Sequence, residues 1–216
     1  MSTMASLTDP MLVLVMLVNF VVLGTSSMKV TIRAAAAQGA ILSVLPLLVE
    51  QHAGLHAAAM ALGAAFVKGL LIPGLLQKAM RDAQIRHEVQ PYVGFLPSLF
   101  LGAGGTGLAL VFAGSLPLAP EHVGTLLVPA ALATFMTGFL VLTTRRKAIS
   151  QVVGYLVLEN GIFIFGLLLL DAMPLMVEIG VLLDLFVGIF IMGIILNHIR
   201  DEFSSLDTEL LAELKD

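Results

Sequence analysis

Long apolar stretches follow one another along almost the whole chain, and only short polar segments separate them. A helix of about 20 apolar residues crosses the hydrocarbon core of a bilayer, which is roughly 30 Å thick. The pattern predicts seven such spans, at about 10–27, 33–49, 55–76, 93–116, 123–143, 149–170 and 175–197. We therefore expect an all-α, polytopic membrane protein with seven transmembrane helices.

The composition agrees with a membrane protein and excludes several kinds of chemistry. Of the 216 residues, 58% are hydrophobic and 12% are charged, and the mean hydropathy is +1.01. The chain has no cysteine, which excludes disulfides and thiolate ligands to iron–sulfur clusters. His52 and His56 have the spacing of a metal-binding pair but no clear fourth ligand, and no nucleotide-binding loop is present. We expect a non-catalytic protein that binds neither a cofactor nor a metal ion.

The basic residues predict how the chain is oriented in the membrane. Apart from Lys68, every basic residue follows the first, third, fifth or seventh predicted span: Lys29, Arg33, Lys78, Arg81, Arg86, Arg145, Arg146, Lys147, Arg200 and Lys215. The loops that follow the second, fourth and sixth predicted spans carry no Lys or Arg. Loops rich in Lys and Arg remain in the cytoplasm. The N-terminus is therefore expected outside the cell and the C-terminus in the cytoplasm.

The longest polar segment, 77–92, divides three predicted spans from four. Residues 22–25 resemble residues 141–144, and Lys68 follows Gly63 much as Asp184 follows Gly180. We interpret 1–92 as a three-helix unit with a cytoplasmic connector and 93–122 as a linking transmembrane helix. Residues 123–203 form a second three-helix unit, and 204–216 a cytoplasmic amphipathic tail. The sequence leaves open whether the two units are parallel copies of one ancestral unit.

Three ionisable residues lie deep inside apolar runs: Lys68, Glu159 and Asp184. At 1.5 Å per helical residue, Glu159 and Asp184 lie roughly 15 Å from a membrane surface, and Lys68 lies within one turn of that level. An ionised group at this depth costs several kcal/mol unless it is paired. These residues are therefore expected to form pairs or to carry function.

Two interpretations of these charges remain open. Glu, Asp and Lys can each gain and lose a proton, as a relay requires, whereas Arg stays protonated. In a relay, Glu178 would be an outer entry point, and Asn160 and Gln38 supporting polar groups that extend the path. Alternatively, Lys68 forms a static ion pair with one carboxylate, and the amides are ordinary contacts between helices.

Over most of its length, including Lys68 in the run Val67-Lys68-Gly69-Leu70-Leu71-Ile72-Pro73, the chain resembles membrane subunits of respiratory and hydrogenase complexes. Residues 145–188 carry the specific part of this resemblance. One set of motifs is similar to component E of hydrogenase 4 (the HyfE family): Gly154-Tyr155, Glu159-Asn160-Gly161, Val177-Glu178-Ile179-Gly180 and Asp184. A second set resembles the NuoK-type three-helix subunit of respiratory complex I: Arg145-Arg146, Gly154, Asp184-Leu185-Phe186-Val187-Gly188 and a tail from Leu206-Asp207 to Lys215.

The resemblance implies a place in a complex I-related, energy-converting hydrogenase of a prokaryotic plasma (inner) membrane. The protein would lie beside antiporter-like subunits and be connected indirectly to a nickel–iron hydrogenase or hydrogenase-like module. Its midplane Glu, Asp and Lys residues would relay protons laterally and couple redox chemistry to ion translocation. A self-contained secondary transporter or channel, and a structural subunit with static ion pairs, are the alternatives.

Overall fold

The computed structural model describes residues 5–49, 55–82, 91–118 and 122–169, together with Phe186 and Gly193. Every regular element in these ranges is a helix. Nearly all of the predicted seventh span, residues 83–90 of the cytoplasmic connector and the C-terminal tail lie outside the described residues.

Seven α-helices follow one another in the described ranges: α1 (Ala5–Gly24), α2 (Met28–Val49), α3 (Leu55–Phe66), α4 (Ile72–Asp82), α5 (Phe95–Ala113), α6 (Leu127–Thr144) and α7 (Ala148–Leu167). A π-helical turn, Val67–Leu71, joins α3 to α4 without a break, so these two helices form one span. Within the described residues, six helices are therefore long and apolar enough to cross a membrane. They correspond to the first six predicted spans.

Several basic residues lie further inside helices than the predicted span limits indicate. Lys29 and Arg33 belong to the first turns of α2, while Lys78 and Arg81 lie near the end of α4. Within the described residues, the α3–α4 span reaches Asp82, beyond its predicted end near residue 76. A helix can continue past the hydrocarbon because its backbone stays hydrogen-bonded, while long basic side chains extend to the polar interface. The length of an apolar run therefore underestimates the length of these helices.

The helices α1, α2, α7 and α6 form a ring in which each packs against the next. The α3–α4 span lies along α2 and also reaches α7, and α5 covers α1 and α6 from the other side. The contact between α6 and α7 is the closest in the ring. A Cβ atom added at any of three glycines would collide with a backbone nitrogen of the facing helix: Gly138 with Leu158, Gly154 with Leu142, and Gly161 with Phe135.

Arg145, directly after α6, is buried although its sequence neighbourhood indicates an exposed basic loop. Its guanidinium donates to the carbonyl oxygens of Leu23 at 2.8 Å and Val93 at 3.2 Å. It also lies 4.6 Å from the centre of the Phe95 ring, a cation–π contact. Arg145 therefore ties the ends of α1 and α6 to the segment that begins α5.

Two apolar clusters fill the ring. One, which we call the Leu45 cluster, contains Leu12, Val15, Leu42, Leu45, Ala131, Phe163 and Ile164 among its buried members. The other, the Val153 cluster, contains Val22, Ile32, Ala35, Val141, Val153 and Val157. Along each ring helix, the two clusters occupy opposite ends, and a buried polar residue lies between them.

Candidate functional site

A buried ion pair joins the α3–α4 span to α7. The Lys68 Nζ atom lies 2.7 Å from Oε1 of Glu159, and the two side chains are 10% and 3% exposed. Lys68 belongs to the π-helical turn, whereas Glu159 lies in the middle part of α7. The structure thus brings two of the three predicted midplane ionisable residues into direct contact.

The π-helical turn that carries Lys68 has a local cause in the sequence. Pro73 has no N–H and cannot donate to the preceding turn, so the regular α-helical bonding is interrupted there. The N–H of Ile72 bonds instead to the carbonyl of Val67, five residues earlier. Such π turns relieve a proline within a membrane helix and are frequent at functional sites. The backbone irregularity and the buried lysine therefore coincide.

Small side chains allow α2 to approach the ion pair closely. A Cβ atom at Gly39 would lie 2.9 Å from the Cβ of Lys68, which is closer than side chains normally pack. On the other side, the Lys68 ammonium lies 5.3 Å from the centre of the Phe163 ring. A cavity of about 10 Å³ adjoins the pair and is lined by Gly39, Lys68, Pro73 and Glu159, among others. This volume is about what one water molecule needs.

A chain of hydrogen bonds begins at Asn160, the residue after Glu159, and crosses the ring. Asn160 Nδ2 donates to Gln38 Oε1 at 3.2 Å, Gln38 Nε2 donates to Asn19 Oδ1 at 2.8 Å, and Asn19 Nδ2 donates to Thr134 Oγ1 at 3.0 Å. Gln38 Nε2 also donates to the carbonyl of Val15 at 3.3 Å. All four side chains are buried. We call Asn160, Gln38, Asn19 and Thr134 the amide chain.

Among the predicted site residues, the structure therefore groups Lys68 with Glu159 and Gln38 with Asn160. Asp184 and Glu178 lie outside the described residues, so their predicted roles stay predictions. Sequence reasoning missed Asn19 and Thr134, which complete the amide chain. The signal for Asn19 was present, because an amide inside an apolar run must find a hydrogen-bonding partner. A threonine gives a weaker signal, since its hydroxyl can bond to its own helix.

The ion pair permits one simple chemical step. A proton moved from the Lys68 ammonium to the Glu159 carboxylate across 2.7 Å would convert a charged pair into a neutral pair. In either form the two groups stay within hydrogen-bonding distance of each other. In the part of the chain that the structure describes, no group of three His, Cys, Asp or Glu side chains converges as a metal site would.

Fold and site together define a multi-pass helical membrane protein with an ion pair buried between two spans. The chain belongs to the same family as the uncharacterized protein Rv0085 of Mycobacterium tuberculosis (strain ATCC 25618 / H37Rv): the two are 33% identical over 206 residues, which is 93% of this chain and 92% of the relative. It is also 32% identical over 85 residues to hydrogenase-4 component E of Escherichia coli (strain K12) and of Shigella flexneri, 39% of each chain. No protein-family model and no solved structure matches the chain.

These comparisons confirm the predicted resemblance to hydrogenase 4 component E over part of the chain. The resemblance to the NuoK-type subunit stays a prediction.

Proposed function

We propose that this protein is a non-catalytic membrane subunit of a hydrogenase-related complex, in which Lys68 and Glu159 relay protons laterally within the membrane. The partial similarity to hydrogenase-4 component E supports the assignment to such a complex. The Lys68–Glu159 pair carries the proposal for proton transfer, because two groups that can exchange a proton lie 2.7 Å apart in an apolar surrounding.

The relay would work by alternating between the charged and neutral forms of the pair. After Lys68 has given its proton to Glu159, its neutral amine can accept another proton from a neighbouring donor. Protonated Glu159 can in turn pass its proton on, and Asp184 is the proposed acceptor because the sequence predicts it at the same depth. The adjoining cavity supplies room for about one water molecule that would bridge a longer step.

The complex would supply the redox chemistry. In this proposal, antiporter-like subunits lie beside this chain, and a nickel–iron hydrogenase or hydrogenase-like module holds the metals. The chain itself would contribute no active site. Its N-terminus would lie outside the prokaryotic plasma membrane and its C-terminus in the cytoplasm, as the distribution of basic residues predicts.

Replacing the carboxyls by amides tests the relay. We expect Glu159→Gln and Asp184→Asn each to remove proton pumping driven by electron transfer, while the complex remains assembled, because an amide of nearly the same shape cannot exchange protons. Pumping would be measured in inverted membrane vesicles, and assembly by copurification of the partner subunits. Asp82→Asn, at the end of α4, is the matched control and should pump normally. Normal pumping by both midplane variants would exclude the relay.

A static ion pair is the second candidate role, and the same short distance favours it. A buried lysine and glutamate at 2.7 Å hold two helices in one register even when no proton moves.

A further inference from the structure

The amide chain contains no side chain that titrates near neutral pH. Asn and Gln donate and accept hydrogen bonds but neither release nor take up protons there, and the chain ends at the hydroxyl of Thr134. Both hydrogens of Gln38 Nε2 are engaged, one by Val15 and one by Asn19, and its oxygen accepts from Asn160. All three donations along the chain run in the same direction, from α7 to α6.

Apolar residues close the amide chain off from both membrane surfaces. On every ring helix, the member of the amide chain has a residue of the Val153 cluster on one side and a residue of the Leu45 cluster on the other. In the order Val153 cluster, amide chain, Leu45 cluster, these residues are Val22, Asn19 and Val15 on α1; Ala35, Gln38 and Leu42 on α2; Val141, Thr134 and Ala131 on α6; and Val157, Asn160 and Phe163 on α7. Apolar packing of this kind holds no water. A cavity near the α1–α2 turn reaches as far as Val22 and Val141. A proton entering along the ring axis from there would have to cross the apolar packing before it reached the amide chain.

The cavity beside the ion pair lies between α2, α7 and the α3–α4 span. Its lining includes Lys68 and Glu159 and also Asn160, the first member of the amide chain, whereas Gln38, Asn19 and Thr134 do not contribute to it. Space for water thus adjoins the ion pair and Asn160 and does not extend to the other three members of the amide chain.

We propose that Gln38, Asn19 and Thr134 form a dry, closed wall that seals the middle of the helix ring against protons, with Asn160 at the edge of the wall beside the cavity, so that Glu159 exchanges protons only on the side that faces Lys68. The statement that Glu159 exchanges protons on the Lys68 side rests on the proposed relay. The statement that the wall is dry does not depend on the relay. The sequence left open whether Gln38 and Asn160 extend the proton path or make ordinary contacts between helices; in this proposal Gln38 lies at the boundary of that path and Asn160 borders the cavity.

Hydrogen exchange tests the dryness of the wall. The probe is D₂O, added to the full-length, ¹⁵N-labelled protein in liposomes, with the side-chain N–H signals followed by solid-state NMR. We expect the Gln38 and Asn19 signals to persist on the order of a hundredfold longer than that of Gln77, which lies near the end of α4. Signals are assigned by their absence in Gln38→Met and Asn19→Leu. Exchange of Gln38 as fast as that of Gln77 would overturn the proposal.

A double variant tests the direction of exchange. Asn19→Leu combined with Thr134→Val removes the two polar side chains of the amide chain that lie farthest from Glu159. We expect the assembled complex that carries this variant to pump protons at close to the wild-type rate, while Glu159→Gln does not pump. Loss of pumping in the assembled double variant would mean that protons use the amide chain. If Glu159→Gln pumps normally, the relay is wrong, but the exchange experiment still decides whether the wall is dry.

Discussion

At the scale of single residues, the ion pair is the feature that most constrains function. The side chains of Lys68 and Glu159 are 10% and 3% exposed, and their opposite charges lie 2.7 Å apart. Removing one partner of such a pair costs about 3–5 kcal/mol, because the remaining charge stays buried without compensation. A single substitution of Lys68 or Glu159 therefore lowers stability as well as affecting any proton transfer, even where the complex still assembles. A variant that retains both charges is needed to separate the two roles.

Exchanging the two residues provides that separation. We expect Lys68→Glu combined with Glu159→Lys to assemble better than Lys68→Met alone, because opposite charges still face each other. Proton pumping should nevertheless remain low, since the donor and acceptor have changed places relative to the rest of the path. The measurements are copurification of partner subunits and vesicle acidification. Restored pumping in the exchanged variant would favour the static pair.

At the scale of elements, two local backbone features position the site. The π-helical turn Val67–Leu71 presents Lys68, and the close glycine-mediated contact between α6 and α7 holds Glu159 in place. Close packing in membranes relies on small residues, because apolar side chains gain little by leaving lipid for a protein interface. The α6–α7 contact should therefore tolerate added volume poorly.

A pair of glycine variants tests this contact. We expect Gly161→Ala to destabilise the protein by about 1–3 kcal/mol, because the new methyl group would collide with the backbone at Phe135. The readout is the denaturant midpoint of the purified protein in detergent. Gly107→Ala on α5 is the matched control, since a Cβ atom there meets nothing within 4 Å. Equal midpoints for the two variants would contradict the close contact.

At the scale of the whole molecule, the order of the helices fixes which loops lie at the same end of the bundle and therefore at the same membrane surface. The short turn between α1 and α2 lies at the end of the bundle that carries Lys29 and Arg33, and the loop after α5 lies at the opposite end. The positive-inside rule then predicts that the first end faces the cytoplasm.

Single cysteines can test this orientation directly because the chain has no cysteine of its own. We expect a membrane-impermeant maleimide added to intact cells to label Ser115→Cys, after α5, and not Ser26→Cys, between α1 and α2. Both positions should be labelled once the cells are broken, which controls for accessibility. Labelling of Ser26→Cys alone in intact cells would reverse the predicted orientation.

The sequence by itself determined the class of protein, the approximate positions of the spans and the residues worth examining. Apolar length is a local property, because each helix must satisfy its own backbone in lipid. The same logic singled out Lys68 and Glu159, since a charge in an apolar run is visible without knowing its neighbours. Helix ends were less accurate, as the extension of α4 to Asp82 illustrates.

Only the tertiary structure decided which side chains meet. The sequence left Lys68 with two possible carboxylate partners, and the structure pairs it with Glu159. Asn19 and Thr134 are 115 residues apart, yet they share a hydrogen bond and extend a chain that begins at Asn160. Such pairings depend on how each helix is rotated and which helix lies beside it. Those choices come from packing summed over whole interfaces, and no single span encodes them.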